Sequence, residues 1–453
     1  MSLNIVILAA GQGTRMHSTL PKVLQTLAGK PLLHYVIECA KSIGADDISV
    51  VYGHGGKEIQ AMFNKEPIRW VLQEQQLGTG HAVKQALSDI PAGNNVLILY
   101  GDVPLIRTKT INKLLDACSA SDLTILTTVL KNPAGYGRVI RKDDRIVSII
   151  EDREANKEQQ RVKEINTGVM CCSAKHLKRW LGNLKNNNSK NEYYLTDVVN
   201  MAVEEGKTII GIKSDTWIEV MGINTRKELA DAERSLQEKM IGELMAQGVG
   251  FADPARVDIR GNLVCGKDVF IDVNTIFEGD VELGNNVTIE SNNVIVDTKV
   301  GNKTVVHPNC HLRGAVTGKN CQIGPFARLR NGAVLSNDVK IGNFVEIKKS
   351  NISSGSKINH LTYIGDADIA KNVNIGAGTI TCNYDGTNKH QTVIGEGAFI
   401  GSGVELVAPV EIGEGATIGA GSTISKSAPS QKLTIERAKQ VSLDKWKRPK
   451  KKE

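Results

Sequence analysis

The chain has 453 residues, too many for one hydrophobic core, so two or three domains are expected. Hydrophobic residues make up 41%, charged residues 23% and aromatics only 4%, which excludes a disordered or membrane-embedded chain and points to an interior of Val, Ile, Leu and Ala. The net charge of +7 owes much to the last nine residues, where Lys445–Lys452 carry six basic side chains; with no aromatic-rich or helix-turn-helix context, this reads as a solvated tail and not a nucleic-acid arm.

The opening has no basic leader, and its apolar run Ile5–Ala10 is too short for a secretory signal or a membrane span, so a cytoplasmic protein is expected. The eight cysteines form no CxxC or Cys/His cluster, and the neighbours Cys171 and Cys172 suggest no disulfide framework, so reduced thiols and no structural zinc are expected. Apolar runs at Ile5–Ala9, Ile48–Tyr52, Trp70–Leu72, Val96–Tyr100 and Leu123–Val129 read as strands. Helical patterns at Leu32–Lys41, His81–Leu87 and Thr110–Ala117 alternate with them, which predicts a doubly wound, Rossmann-like α/β sheet. Ligands of such sheets sit beyond the strands' carboxyl ends, where the segments 11–22 and 101–104 lie.

Leu229, Ala232, Leu236, Met240 and Leu244 recur at three- and four-residue steps and predict a connecting helix about 35 Å long, stopping at Gly248 or Gly250. Beyond it the period becomes six: Val257, Leu263 and Val269; Leu283, Ile289 and Ile295; Ile323 through Ile347; and Ile394 through Ile424. A short strand plus a corner gives that period, so a parallel β-helix is expected, one inward aliphatic per face. Three faces place residues eighteen apart on neighbouring coils, about 4.8 Å from each other. The polar segment 382–391 interrupts the coils and has the composition of a ligand-binding loop.

The string Leu8-Ala9-Ala10-Gly11-Gln12-Gly13-Thr14-Arg15-Met16, followed by Pro21-Lys22, is neither a dinucleotide fingerprint nor a P-loop. Its glycines let backbone N–H groups approach a phosphate, and Arg15 and Lys22 add cations for a developing pyrophosphate charge. It resembles the sugar-nucleotide pyrophosphorylases, and the resemblance continues through Gln76–Ala82, Tyr100–Leu105, Gly135–Arg138, Glu151, Asn166–Gly168, Glu192–Asp197 and Gly222–Asn224. That resemblance implies that Leu8, Ala9, Ala10, Gly11, Gln73, Gly78 and Thr79 hold uridine, and that Tyr100 and Gly101 line the nucleotide-sugar pocket. It further implies that Gly137, Glu151 and Asn166 contact the sugar or its phosphate, and that Asp102 and Asn224 hold Mg²⁺. Read alone, Asp102 is a turn former and Asn224 a helix N-cap.

In the second half, His360–Asp366, Asn374–Gly378 and Thr381–Gly386 resemble the acetyltransferase half of the bifunctional GlmU family, which joins an N-acetylglucosamine-1-phosphate uridyltransferase to a glucosamine-1-phosphate acetyltransferase. His360 is the candidate general base for acetyl transfer to an amine. Arg330 and Lys348 are eighteen apart in uninterrupted repeats, so they should stack and attract a phosphate. The resemblance implies that Arg330, Lys348, Tyr363 and Asn374 hold glucosamine-1-phosphate and that Ala377, Asn383, Tyr384, Ser402, Ala420 and Arg437 bind acetyl-CoA. It also implies a left-handed coil, a homotrimer with shared active sites, and synthesis of UDP-N-acetylglucosamine, a peptidoglycan and lipopolysaccharide precursor, from UTP and acetyl-CoA. On this reading residues 1–226 form the uridyltransferase domain, 227–247 the connecting helix and 248–453 the acetyltransferase domain with its basic tail. A single-function pyrophosphorylase with a structural β-helix, and a non-catalytic scaffold, are the competing readings.

Overall fold

A computed structural model describes residues 2–53, 55–449 and 451, so part of the basic tail lies outside the described residues. The chain divides into two compact units, Met1–Leu236 and Gln237–Glu453. The division falls within the connecting helix, which spans Arg226–Ala246.

The first unit is an α/β sheet whose strands are β1 (Leu3–Leu8), β2 (Asp47–Tyr52), β3 (Arg69–Leu72), β4 (Asn95–Tyr100), β5 (Leu123–Val129), β6 (Arg138–Lys142), β7 (Arg145–Ile150), β8 (Glu164–Ser173) and β9 (Ile209–Lys213). The order is β9-β5-β8-β4-β1-β2-β3, with the β6/β7 hairpin attached to β8. All five strands read from the sequence are present, and β1, β2, β3 and β4 run parallel. The central position between β4 and β5 belongs to β8, which is antiparallel to both and was not foreseen. Its apolar run is broken by Asn166-Thr167-Gly168, where the register with β5 shifts in a bulge. Such an irregularity hides a strand from pattern reading and re-aims side chains toward a site. Helices Leu32–Ser42, Thr79–Ala86, Thr108–Cys118, Ala174–Gly182 and Asp197–Glu204 cover the sheet, and Ile5, Ile7, Val96, Leu97, Ile125 and Met170 between them are fully buried or nearly so.

The connecting helix starts with a capping box, in which Thr225 Oγ1 accepts from the Glu228 N–H and Glu228 accepts from the N–H groups of Asn224 and Thr225. It stops at Gly248, whose φ of 96° is the left-handed turn-off; Val249 N–H donates to Leu244 C=O and Gly248 N–H to Met245 C=O.

The second unit is a parallel β-helix built of an eleven-stranded ladder and a seventeen-stranded one that wraps two faces. The inward aliphatics of the six-residue period, from Val257 to Ile424, are all buried. Two positions before many of them lies a second inward residue, small or β-branched, such as Cys321, Ala327, Val339, Val345, Ala398 or Ala416. Such small inward residues leave little room for aromatics, and Phe277 is the one aromatic fully buried among the described coil residues. Neighbouring coils are offset by eighteen residues in several stretches (Leu329 on Ile347, Ile400 on Ile418) but by seventeen in others (Val306 on Ile323, Ile347 on Ile364). Across the 382–391 insertion the offset rises to twenty-five, as for Ile375 on Ile400.

Candidate functional sites

In the first unit, β1 and β4 end side by side, held by the Gly101 N–H donating to Leu8 C=O at 2.9 Å. Their carboxyl ends open onto a cavity of about 490 Å³ lined by Leu8, Ala9, Ala10, Gly11 and Lys22 on one side and by Gln73, Gly78, Thr79, Tyr100 and Asp102 on the other. Gln73 Nε2 donates to Gly78 C=O at 3.2 Å and meets the ring of His81 at 3.0 Å, which pins the amide at the cavity wall. Gly101 is not part of this lining; it is buried against Leu33, Ala9 and Leu8.

A second cavity, of about 610 Å³, shares Thr79, Tyr100 and Glu192 with the first and holds Arg15, Gly137, Glu151 and Asn166. Here Thr196 donates to Glu151 at 2.9 Å, orienting its carboxylate. The Asn166 Oδ1, placed by the β8 bulge, is buried without a hydrogen-bond partner, a condition that a ligand hydroxyl would relieve. Tyr100 divides the two cavities; burial, reinforced by Asp102 and Glu151, pushes its phenol pKa up, so it stays neutral.

Asp102 and Asn224 converge on one point. The Lys22 ammonium pairs with Asp102 Oδ2 and donates to Asn224 Oδ1 at 3.0 Å. Ile223 N–H donates to Asp102 C=O, tying the two segments together. Because Thr225 is the helix cap, the Asn224 side chain is not used there; its Nδ2 donates to Gly222 C=O and its Oδ1 faces Lys22. Two oxygens around one positive charge form a donor set that would fit Mg²⁺ if phosphates and water completed its shell. Among the described residues no cluster of three or more His, Cys, Asp or Glu converges on a metal position.

In the second unit, Leu329 pairs with Ile347 and the Arg330 N–H donates to Ile347 C=O, which sets Arg330 and Lys348 on adjacent coils as the eighteen-residue spacing requires. Both line a cavity of about 310 Å³ together with His311, Arg313, Arg328 and Lys349. Glu346 reaches Arg330 at 2.7 Å and Arg328 at 3.5 Å, holding the guanidinium in place. Lys389, on the insertion loop, lies beside Lys348; its ammonium, with desolvation and Arg330, holds the Lys348 pKa below the usual lysine value. Glu346, Lys389, Arg313 and Arg328 were not picked out from the sequence. The signals were there, since Glu346 and Arg328 share a register and Lys389 sits in the one polar insertion.

His360 is exposed, and its Nδ1 donates to Asn343 Oδ1 at 2.7 Å, which leaves Nε2 as an acceptor. His360, Ala377 and Ser402 accept in turn from Gly378, Gly403 and Gly421, so His360 stands at the foot of a corner column that carries Ala377, Ser402 and Ala420. Arg437 reaches this column at Gly421, Asn374 stacks on Phe399, and Tyr384 is exposed on the insertion loop. Tyr363 lies on the face between His360 and the cations, beside Gly365 and Asn383, whose amide donates to Asp366 at 2.5 Å. Within one chain, His360 and the Arg330/Lys348 pair occupy opposite ends of that face, since Lys348 stacks on Gly365, five residues from His360.

Comparison with known proteins agrees with both halves. Residues 5–166 match the MobA-like NTP transferase domain, residues 391–426 the bacterial transferase hexapeptide (six repeats) and residues 259–360 the GMPPB C-terminal domain. A bifunctional protein GlmU from Marinobacter nauticus is 51% identical over 450 residues, covering 99% of each chain. Proteins of the same name from Azoarcus sp., 51% identical over 448 residues and 99% of each chain, and from Acinetobacter baumannii, 52% identical over 451 residues, 100% of this chain and 99% of its own, agree. The chain belongs to the bifunctional GlmU family. Its second unit is the left-handed β-helix of hexapeptide proteins, and the two competing readings are set aside. No helix among the described residues is long and apolar enough to cross a membrane.

Proposed function

We propose that this chain is a bifunctional enzyme that acetylates glucosamine-1-phosphate with acetyl-CoA and then transfers UMP from UTP to the resulting N-acetylglucosamine-1-phosphate, yielding UDP-N-acetylglucosamine and pyrophosphate. The observation that carries this reading is the coexistence, in separate units, of a two-chambered cavity at the β1/β4 ends and a stacked cation pair on the β-helix. Domain limits of 1–226, 227–247 and 248–453 assign one reaction to each unit.

In uridylyl transfer, a phosphate oxygen of the sugar phosphate attacks the α-phosphorus of UTP and pyrophosphate leaves. Leu8, Ala9, Ala10, Gly11, Gln73, Gly78 and Thr79 hold the nucleotide, and Arg15 and Lys22 meet its phosphate charge. Glu151, Gly137 and Asn166 hold the sugar, the last through its unpartnered oxygen. Asp102 and Asn224 would hold Mg²⁺, which supplies charge neutralisation when bound. In acetyl transfer, the amine attacks the thioester carbonyl, His360 Nε2 takes the amine proton, and CoA departs. Arg330, Lys348, Tyr363 and Asn374 hold the sugar phosphate, while Ala377, Asn383, Tyr384, Ser402, Ala420 and Arg437 hold acetyl-CoA. The family resemblance supports a homotrimer whose active sites are shared between chains, acting in the cytoplasm.

A paired assay tests this: CoA release from acetyl-CoA and glucosamine-1-phosphate, and pyrophosphate release from UTP and N-acetylglucosamine-1-phosphate. His360→Ala should lower the first by about 10²- to 10⁴-fold and spare the second. Asp102→Ala should do the reverse. If either variant silences both reactions, the division of labour is wrong.

A further inference from the structure

We propose that Lys22 is a removable counter-ion: it holds the cation position between Asp102 and Asn224 and leaves it for the nucleotide's phosphates when a divalent cation arrives. The inference rests on the uridyltransferase reading above and concerns the order in which charges occupy the site.

The same ammonium touches both oxygens that would bind the metal, so Lys22 and the metal compete for one position. The Lys22 and Asp102 side chains are only 11% and 16% exposed, so water screens the charges weakly and the ammonium repels a metal ion on the same carboxylate. Conversely, Asp102 would be a poorly compensated, part-buried anion without either of them. Lys22 is the resident solution to that problem.

The displacement needs no backbone movement. The Lys22 Cβ lies against Gly13, where an added Cβ would come within 2.6 Å of it, and the residue opens a short 3₁₀ turn, Lys22–Leu24, behind Pro21. Backbone and Cβ are therefore fixed, and the flexible stem alone must move. Lys22 already lines the nucleotide cavity, so rotation of the stem carries the ammonium toward the phosphates without leaving the site.

Two linked consequences follow. Metal alone binds against the Lys22 charge and is weakened by it. Nucleotide gives the ammonium a new anion and so relieves that opposition, which makes metal and UTP bind cooperatively, each favouring the other by the same factor. Lys22 thereby suppresses loading of the carboxylate by metal that arrives without its nucleotide.

The test uses the full-length protein, Mn²⁺ as the probe and electron paramagnetic resonance of free Mn²⁺ as the readout, without nucleotide. Lys22→Ala and Lys22→Met, the second keeping much of the apolar stem, should bind Mn²⁺ at least about fivefold more tightly than the unsubstituted protein. Calorimetric titration with UTP at saturating Mg²⁺ should show the opposite sign, with weaker binding by both variants. Unchanged or weaker Mn²⁺ binding by both folded variants overturns the proposal. Asp102→Asn separates this from failure of the metal-site reading: if it and the unsubstituted protein bind Mn²⁺ equally, the metal is not at Asp102 at all.

Discussion

The two units solve the same problem, fixing polar groups around a phosphate, by different geometries. In the α/β unit the site is gathered from segments as distant as Leu8, Gln73, Asp102, Glu151 and Asn224, each delivered by a different strand end or turn. In the β-helix the site is a ladder: Arg330 meets Lys348, and His360 lies below Ala377, because the coil repeats. The first arrangement isolates its parts, whereas the second makes each coil the template for the next. A substitution should therefore act locally in the first unit and propagate in the second.

The strongest challenge to that contrast is Gly342→Ala. An added Cβ at this position would lie 2.0 Å from the Asn359 C=O on the next coil, one residue from the Asn343 and His360 pair. Rigid stacking leaves no slack, so overpacking of at least about 3 kcal/mol is expected. CoA release should be lost and the β-helix melting transition should fall, with pyrophosphate release unchanged. Retained acetyl transfer would mean that the coils can yield individually.

Next in size is the cation pair. Arg330→Ala and Lys348→Ala should each raise KM for glucosamine-1-phosphate by about 10- to 100-fold, as loss of one charged hydrogen-bond donor does. Because the side chains line one cavity, the double variant should depart from additivity by more than about 0.5 kcal/mol. Strict additivity would separate them into independent sites.

The same contrast decides what could be read in advance. The β-helix was legible because its physics is arithmetic: a six-residue period fixes which residues point inward and which stack, and the Arg330/Lys348 pairing followed from their numbers alone. Coils of seventeen residues, such as the one joining Ile347 to Ile364, were not legible, since a shortened corner leaves the inward pattern nearly intact. Lys389 escaped for a related reason: the insertion that carries it has no period, so only folding brings it beside Lys348. In the α/β unit five of the nine strands were readable from apolar runs; β6, β7, β8 and β9 were not, and β8 escaped because its bulge spends apolar positions on Asn166 and Gly168. Likewise Asn224, taken by itself, could as well be a cap, and only the fold shows that Thr225 takes that role.

The smallest effect sets the units against each other in pH. Asp197 opens the helix Asp197–Glu204, and burial, with the Glu151 carboxylate nearby, raises its pKa from the ordinary 3.8 to about 6. A carboxyl whose folded pKa is raised adds stability that is fully present below its unfolded pKa and lost as pH rises through the folded value. The first unit should therefore lose about 1–2 kcal/mol between about pH 4 and pH 7, allowing for the screening of a half-buried group. Asp197→Asn should flatten that slope in chemical denaturation followed at each pH, and an unchanged slope would place the titration elsewhere. Asp385 on the insertion loop has the opposite sign. The Asn388 N–H, the His390 ring and the Thr387 N–H stabilise its charged form and hold its pKa well below the usual carboxylate range. What it adds is present above the ordinary carboxylate pKa and lost only in stronger acid. Mild acidification should thus firm the α/β unit before it begins to loosen the loop beside the β-helix cations.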